Sequence, residues 1–179
     1  MTTGELLNQI AGATEMKRHA ITALSVLNEA YDYPKPSSFS RGLRIDLGGV
    51  AILLISGTAS IDEHGQTVHV GDFRAQLRRA YHNITGLLAS EGATWKDIVR
   101  TTCYLRDIER DYTAFNEGRT EFFREQGLDP LPASTGIQAI LCRPDLLVEI
   151  EAIAIFVPPP KGASCNGQVP VTAPPSPIS

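Results

Sequence analysis

The stretch that most constrains this chain is Leu131 to Phe156, LPASTGIQAILCRPDLLVEIEAIAIF, which reads as two strands joined by a turn. Its second half alternates. Leu146, Val148, Ile150, Ala152 and Ala154 fall on one face and Leu147, Glu149 and Glu151 on the other, because strand side chains repeat every two residues. The apolar face calls for a packed partner. The two carboxylates on the other face are costly unless solvated, paired or given a task, and the turn before them, Cys142-Arg143-Pro144-Asp145, can supply a cation. Spacing alone leaves two readings open: a wet or intersubunit face, or a ligand-binding and catalytic one.

A chain of 179 residues, 42% hydrophobic and 20% charged, fits one domain with a real core plus tails. The net charge of -4 gives no electrostatic reason to expect nucleic acid or an anionic membrane, so a small molecule or another protein is the expected partner. Cys103, Cys142 and Cys165 are far apart and form no CxxC, which signals neither a disulfide framework nor a zinc site. His64, His69 and His82 lack carboxylate or cysteine neighbours at ligand spacing, and no metal or cofactor is expected. The opening MTTGELLNQIAG lacks a basic-then-apolar leader, and no run approaches the roughly 18 apolar residues of a membrane span. A cytoplasmic protein is the expectation.

Residues 1–36 are predicted to be a partly helical N-terminal extension, with one helix after Thr3 and another from Thr14 to Tyr31 carrying Ile21, Leu24 and Leu27. Pro34 and Pro36 end any helix, and the domain proper is placed at 37–157. Two apolar runs, Leu43 to Leu47 and Val50 to Ile55, flank Gly48-Gly49 and predict a hairpin. In Ser56-Gly57-Thr58-Ala59-Ser60 small residues either let the backbone approach a ligand or mark a bulge. Asp72 is predicted to cap a helix with Phe73, Leu77, Ala80, Tyr81, Ile84, Leu87 and Leu88 on one stripe, stopped at Gly92. A third strand follows, with Val99, Thr101, Cys103 and Leu105 on one face. Asp111 then caps a helix bearing Tyr112, Phe115, Phe122 and Phe123, on which Asn116 and Arg119 project as neighbours. The order strand, strand, helix, strand, helix, strand, strand predicts an α+β domain with helices on one face of a mixed sheet. Self-association is the economical cover for the other face. Residues 158–179, rich in proline, serine and glycine, are predicted to be a disordered tail.

With these residues in hand, the chain resembles the Rid family (reactive intermediate deaminases, also called YjgF-like). The resemblance spans roughly Ser37 to Val157 and rests on an ordered set. Its members are Ser56-Gly57, the helix after Asp72, Val99-Arg100-Thr101-Thr102 through Leu105-Arg106-Asp107, Asn116 followed by Phe122-Phe123, Pro132-Ala133, and Val148-Glu149-Ile150-Glu151-Ala152. It implies a chorismate-mutase-like α+β fold and a homotrimer whose sheets form a central barrel, with ligand pockets in the clefts between subunits. It also implies a small carboxylate-bearing enamine or imine as substrate, hydrolysed with release of ammonia. By the resemblance Glu149 and Asn116 are the catalytic candidates, and Phe39, Ser56 and Gly57 are pocket positions.

One departure is large. Deaminating members carry an arginine after the Pro-Ala pair that clamps the substrate carboxylate, whereas this chain has Ser134, which cannot make a charged bidentate contact. A cysteine often found two positions further on is replaced by Gly136. Arg41, Arg119 and Arg143 are candidates to restore the clamp, with Arg119 preferred for its helical spacing from Asn116, and Ser134 and Thr135 are candidate polar contacts. The leading reading is a Rid-like hydrolytic deaminase, its substrate of the 2-aminomuconate kind among the options. The alternative is a non-catalytic trimer that binds a small metabolite or protein. A chorismatase-like hydrolase ranks below both, since those enzymes carry a larger architecture.

Overall fold

The computed structural model describes residues 16–33 and 35–158. Six strands form one sheet: β1 (Lys17–Ala20), β2 (Gly42–Leu47), β3 (Val50–Ala59), β4 (Ile98–Leu105), β5 (Ala133–Gln138) and β6 (Val148–Phe156). Their spatial order is β1-β2-β3-β6-β4-β5. Neighbours are antiparallel except β4 and β5, which are parallel, so the sheet is mixed. Helices α1 (Phe73–Ser90) and α2 (Ile108–Glu125) cover one face. Among the described residues no helix is long and apolar enough to cross a membrane.

Local chemistry explains most of these elements. Gly48 and Gly49 take φ of 58° and 90°, the left-handed geometry the β2–β3 turn requires. Asp72 caps α1 by accepting from the Ala75 amide, and every residue of the anticipated stripe from Phe73 to Leu88 is buried. Arg74 and Arg78 reach across the outer surface to Glu117, Glu121 and Glu125 of α2. Between the helices and the sheet, Tyr81 stacks on Phe122 at 4.3 Å, and Trp95 meets both edge-on.

Four expectations are corrected. Residues 16–31 are not helical: Lys17–Ala20 pairs with β2, and Ala30–Asp32 makes only a short 3-10 turn. Ile21 and Leu27 are buried while Leu24 is 67% exposed, so their shared spacing of three does not define a helical stripe. The second helix is capped by Asp107, which accepts from the Arg110 amide, while Asp111 sits inside the first turn and pairs with Arg110. Val99 is 43% exposed because the β4–β6 register shifts between Ile98 and Arg100. Finally, β5 and β6 are not a hairpin pair: β4 lies between them, and the chain crosses over it through residues 139–147. The helix expected after Thr3 and the tail from 159 onward fall outside the described residues.

The alternation in β6 holds. Val148, Ile150, Ala152, Ala154 and Phe156 are buried against the helices, and Glu149, Glu151, Ile153 and Ile155 point to the other face. That face is uncovered in a single chain, with Leu43, Leu54, Ile137 and Ile155 exposed on it.

Candidate functional site

At the end of β3 the strand slips register between Ile55 and Thr58, so Ser56 and Gly57 form a bulge beside the start of β6. The bulge and the close approach coincide. A Cβ at Gly57 would overlap a carboxylate oxygen of Glu149, so only glycine leaves room for that side chain. Ser56 in turn donates from its hydroxyl to the Ser40 carbonyl at 2.8 Å, tying the bulge to the incoming chain. Glu149 is half-buried, and burial, followed by the negative charge of Glu151, holds its pKa above the ordinary carboxyl value. Glu151, two residues on, is exposed and accepts from the Tyr104 hydroxyl at 3.0 Å.

Glu149 lines a cavity of about 780 Å³ together with Ser56, Gly57, Phe39, Arg41 and Arg143. Six of the anticipated site residues therefore meet in one place. Its remaining walls include Leu27, Tyr33, Lys35, Ile61 and Leu146. Arg41 is almost fully buried, donating from Nε to the Asn28 carbonyl at 2.8 Å and from Nη2 to the Tyr33 hydroxyl. Arg143 donates from Nη1 to the Gly65 carbonyl at 2.8 Å.

The loop carrying Arg143 into β6 is held by two residues to which the sequence assigned no site role. Arg106 donates to the Leu146 and Arg143 carbonyls. Gln76, fully buried on α1, donates to the Asp145 carbonyl at 2.8 Å and accepts from the Leu147 amide at 2.8 Å. A glutamine inside an otherwise apolar helix stripe was the available signal, since a buried amide must find partners for both its ends.

Asn116, Arg119, Ser134 and Thr135 lie elsewhere. Arg119 donates to the Asn116 side-chain oxygen at 2.6 Å and to the Ser134 hydroxyl at 3.1 Å, and its guanidinium lies over the Phe115 ring. Ser134 also accepts from Thr101 at 3.0 Å on the helix-covered side of β5. The preferred arginine thus sits beside the serine that replaces the family clamp. Thr135 points to the opposite face and accepts from Arg100 at 3.1 Å. Glu149 is opposite Tyr104, which is opposite Ile137, so Ser134 is two strands and three residues away, on the other side of the sheet. Among the described residues, then, the anticipated positions fall into two groups: the glutamate cavity and the Asn116–Arg119–Ser134 cluster at the β5 edge. Cys103 is buried in the core.

A mixed sheet with two helices on one face and a carboxylate cavity at a β3 bulge defines a YjgF-like α+β protein. The family model described as Endoribonuclease L-PSP matches residues 36–156, and the chain belongs to that family, the Rid or YjgF-like proteins. The 3-aminoacrylate deaminase RutC of Acinetobacter baylyi is 37% identical over 103 residues, which cover 58% of this chain and 78% of that one. A RutC family protein of Pyrococcus abyssi is 30% identical over 122 residues, covering 68% of this chain and 89% of the relative. Among solved structures, the YjgF gene product of E. coli superposes with a TM-score of 0.61 at 27% identity, covering 76% of this chain and 98% of that chain. The Rid family protein YyfA of Yersinia pestis gives a TM-score of 0.64 at 26% identity, covering 77% and 98%.

Proposed function

We propose that this protein hydrolyses a small carboxylate-bearing enamine or imine, releasing ammonia and a keto acid, with Glu149 as the proton-transferring group. The observation that carries this reading is the Glu149 carboxyl, seated against Gly57 in a cavity with arginines nearby and with its pKa raised by burial. The deaminase activity named for the Acinetobacter relative supports the same direction.

An enamine first becomes the imine by gaining a proton at its β-carbon and losing one from nitrogen, and a carboxyl that stays neutral to higher pH than usual can then donate a proton to the imine nitrogen. The carboxylate left behind can then accept a proton from the water that adds to the carbon. The resulting carbinolamine carries one hydroxyl and one amine. Transfer of the hydroxyl proton toward nitrogen breaks the C–N bond, so one water is consumed and one ammonia and one ketone are formed. A 2-aminomuconate-type acid is one member of this substrate class.

The separation of the two groups supports a second element of the proposal, a homotrimer in which the β5 edge of one copy closes over the glutamate cavity of the next. Exposed Leu43, Leu54, Ile137 and Ile155 give the open sheet face an apolar surface suited to burial between copies. Light scattering checks this: a mass of three chains is expected, and a monomer at micromolar concentration contradicts it.

The presence of Ser134 favours a rival, a non-catalytic trimer that binds a metabolite. Ammonia release above the uncatalysed rate, across a panel of imino acids and enamine acids, separates the two. No release from any of them leaves the binding reading.

A further inference from the structure

The stretch before residue 36 lies outside the family match, yet part of it lines the glutamate cavity. After β1, Ile21, Ala23, Val26, Leu27 and Ala30 are buried, which fixes the chain against the domain up to the cavity rim. There Tyr33 stands near two guanidiniums, with the Cζ atoms of Arg41 and Arg143 each 5.1 Å from its ring centroid. Its hydroxyl accepts from Arg41, and its ring packs over Gly65, whose carbonyl holds Arg143. Two cations are thereby held close to one aromatic ring.

Their donors are used differently. Arg41 engages Nε and Nη2 with Asn28 and Tyr33, and the buried Glu29 carboxylate lies near enough to act on it electrostatically. Among the described residues Arg143 commits only Nη1, to Gly65 and Thr67, and forms no ion pair. Its Nε and Nη2 remain available on the side of the guanidinium that suits a bidentate carboxylate. Arg119, by contrast, already has both terminal nitrogens engaged, with Ser134 and Asn116.

We infer that Arg143, oriented by Tyr33 and Arg41, is the carboxylate anchor of this cavity, and that the segment Ile21–Tyr33 builds in this chain the anion grip that Ser134 cannot provide. The inference rests on the reading of the Glu149 cavity as the substrate site. In it Arg143 contacts the ligand, and Tyr33 and Arg41 are positioning residues.

The test uses the full-length protein, with 2-oxobutyrate as an unreactive carboxylate probe, uncharged 2-butanone as its control, and the KM for ammonia release from the enamine acid as a second readout. Calorimetry is expected to show Arg143→Gln weakening 2-oxobutyrate about 10- to 100-fold, the range for losing a hydrogen-bonded charge pair. Binding of 2-butanone should not change. Arg143→Lys should recover part of the loss, Arg119→Gln and Lys35→Gln should each cost less than Arg143→Gln, and Arg74→Gln, on the outer helix surface, should leave affinity within about 3-fold. Tyr33→Phe, which keeps the ring and removes the hydroxyl, should raise KM with kcat preserved, as a positioning role requires. Thermal melts of each variant establish that it is folded, and the conservative Arg143→Lys and Tyr33→Phe changes carry the test if Arg143→Gln is not. If Arg119→Gln or Lys35→Gln costs as much as or more than Arg143→Gln, the anchor lies elsewhere and this inference is overturned, while continued ammonia release leaves the deaminase reading intact. If wild type neither binds the probe nor releases ammonia, both fall.

Discussion

The two faces of β6 obey opposite rules within nine residues. On one, Val148, Ile150 and Ala152 are almost completely buried against α1 and the aromatic cluster, and any hydrophobic side chain of the right volume would serve. On the other, Glu149 keeps a half-buried carboxyl beside Gly57 and Glu151, where shape alone gives no reason for an acid. The first face is explained by stability, and the second carries the carboxyl on which the proposed chemistry depends. Substitutions on the two faces should therefore fail in different assays.

The largest effect is expected from Glu149→Gln, which keeps the volume and removes the titratable group. Turnover should fall about 10²- to 10⁴-fold, the usual contribution of a positioned acid–base group, while affinity for 2-oxobutyrate is kept within a few-fold. Unchanged turnover would break the distinction between the faces. On the buried side, Ile150→Ala should cost about 2–5 kcal/mol in denaturant melts, from lost burial plus the cavity left behind, with ligand affinity of the folded fraction unaltered. A matching loss of affinity would mean that the two faces are coupled.

Gly57→Ala sharpens the comparison because it touches only the boundary between bulge and carboxylate. The added methyl displaces Glu149 and should cost about 1–3 kcal/mol by overpacking, with a drop in turnover out of proportion to its drop in Tm. The smallest effect is in pH dependence. Because the folded-state pKa of Glu149 is raised, the native state holds its proton more tightly than the unfolded chain does. The stability it contributes is complete below the unfolded value and is lost as pH rises through the raised folded value. Stability curves of wild type and Glu149→Gln should thus separate as pH rises through that interval, the variant gaining, and parallel curves would place the carboxyl in water.

Strand alternation made the buried face of β6 and its two outward carboxylates legible in the sequence, as Asp72 did the start of α1. The bulge was legible only as a choice, since Ser56-Gly57 fits a register slip as well as a backbone open to a ligand; the structure shows the slip, with Gly57 set against the Glu149 carboxylate. Reading failed where partners are distant in sequence. Arg143 meets Gly65 across 78 positions and Gln76 reaches Leu147 across 71, contacts that no local period encodes. Tyr33 went unremarked because its neighbours, Pro34 and Pro36, mark only an extended chain. The misplaced cap on α2 has a simpler cause. Asp107 and Asp111 are one helical turn apart and chemically equal, and only the backbone at Asp107, extended with φ of -137°, distinguishes the residue before the helix from one inside it.

The central claim is that Glu149 moves the proton in an ammonia-releasing hydrolysis, and the most direct measurement compares ammonia formed by wild type and Glu149→Gln from a three-carbon enamine acid generated in solution. The account predicts release well above the uncatalysed rate for wild type and near that rate for the variant, with both proteins folded and binding 2-oxobutyrate. Equal release from the two, or none above background from wild type, would contradict it.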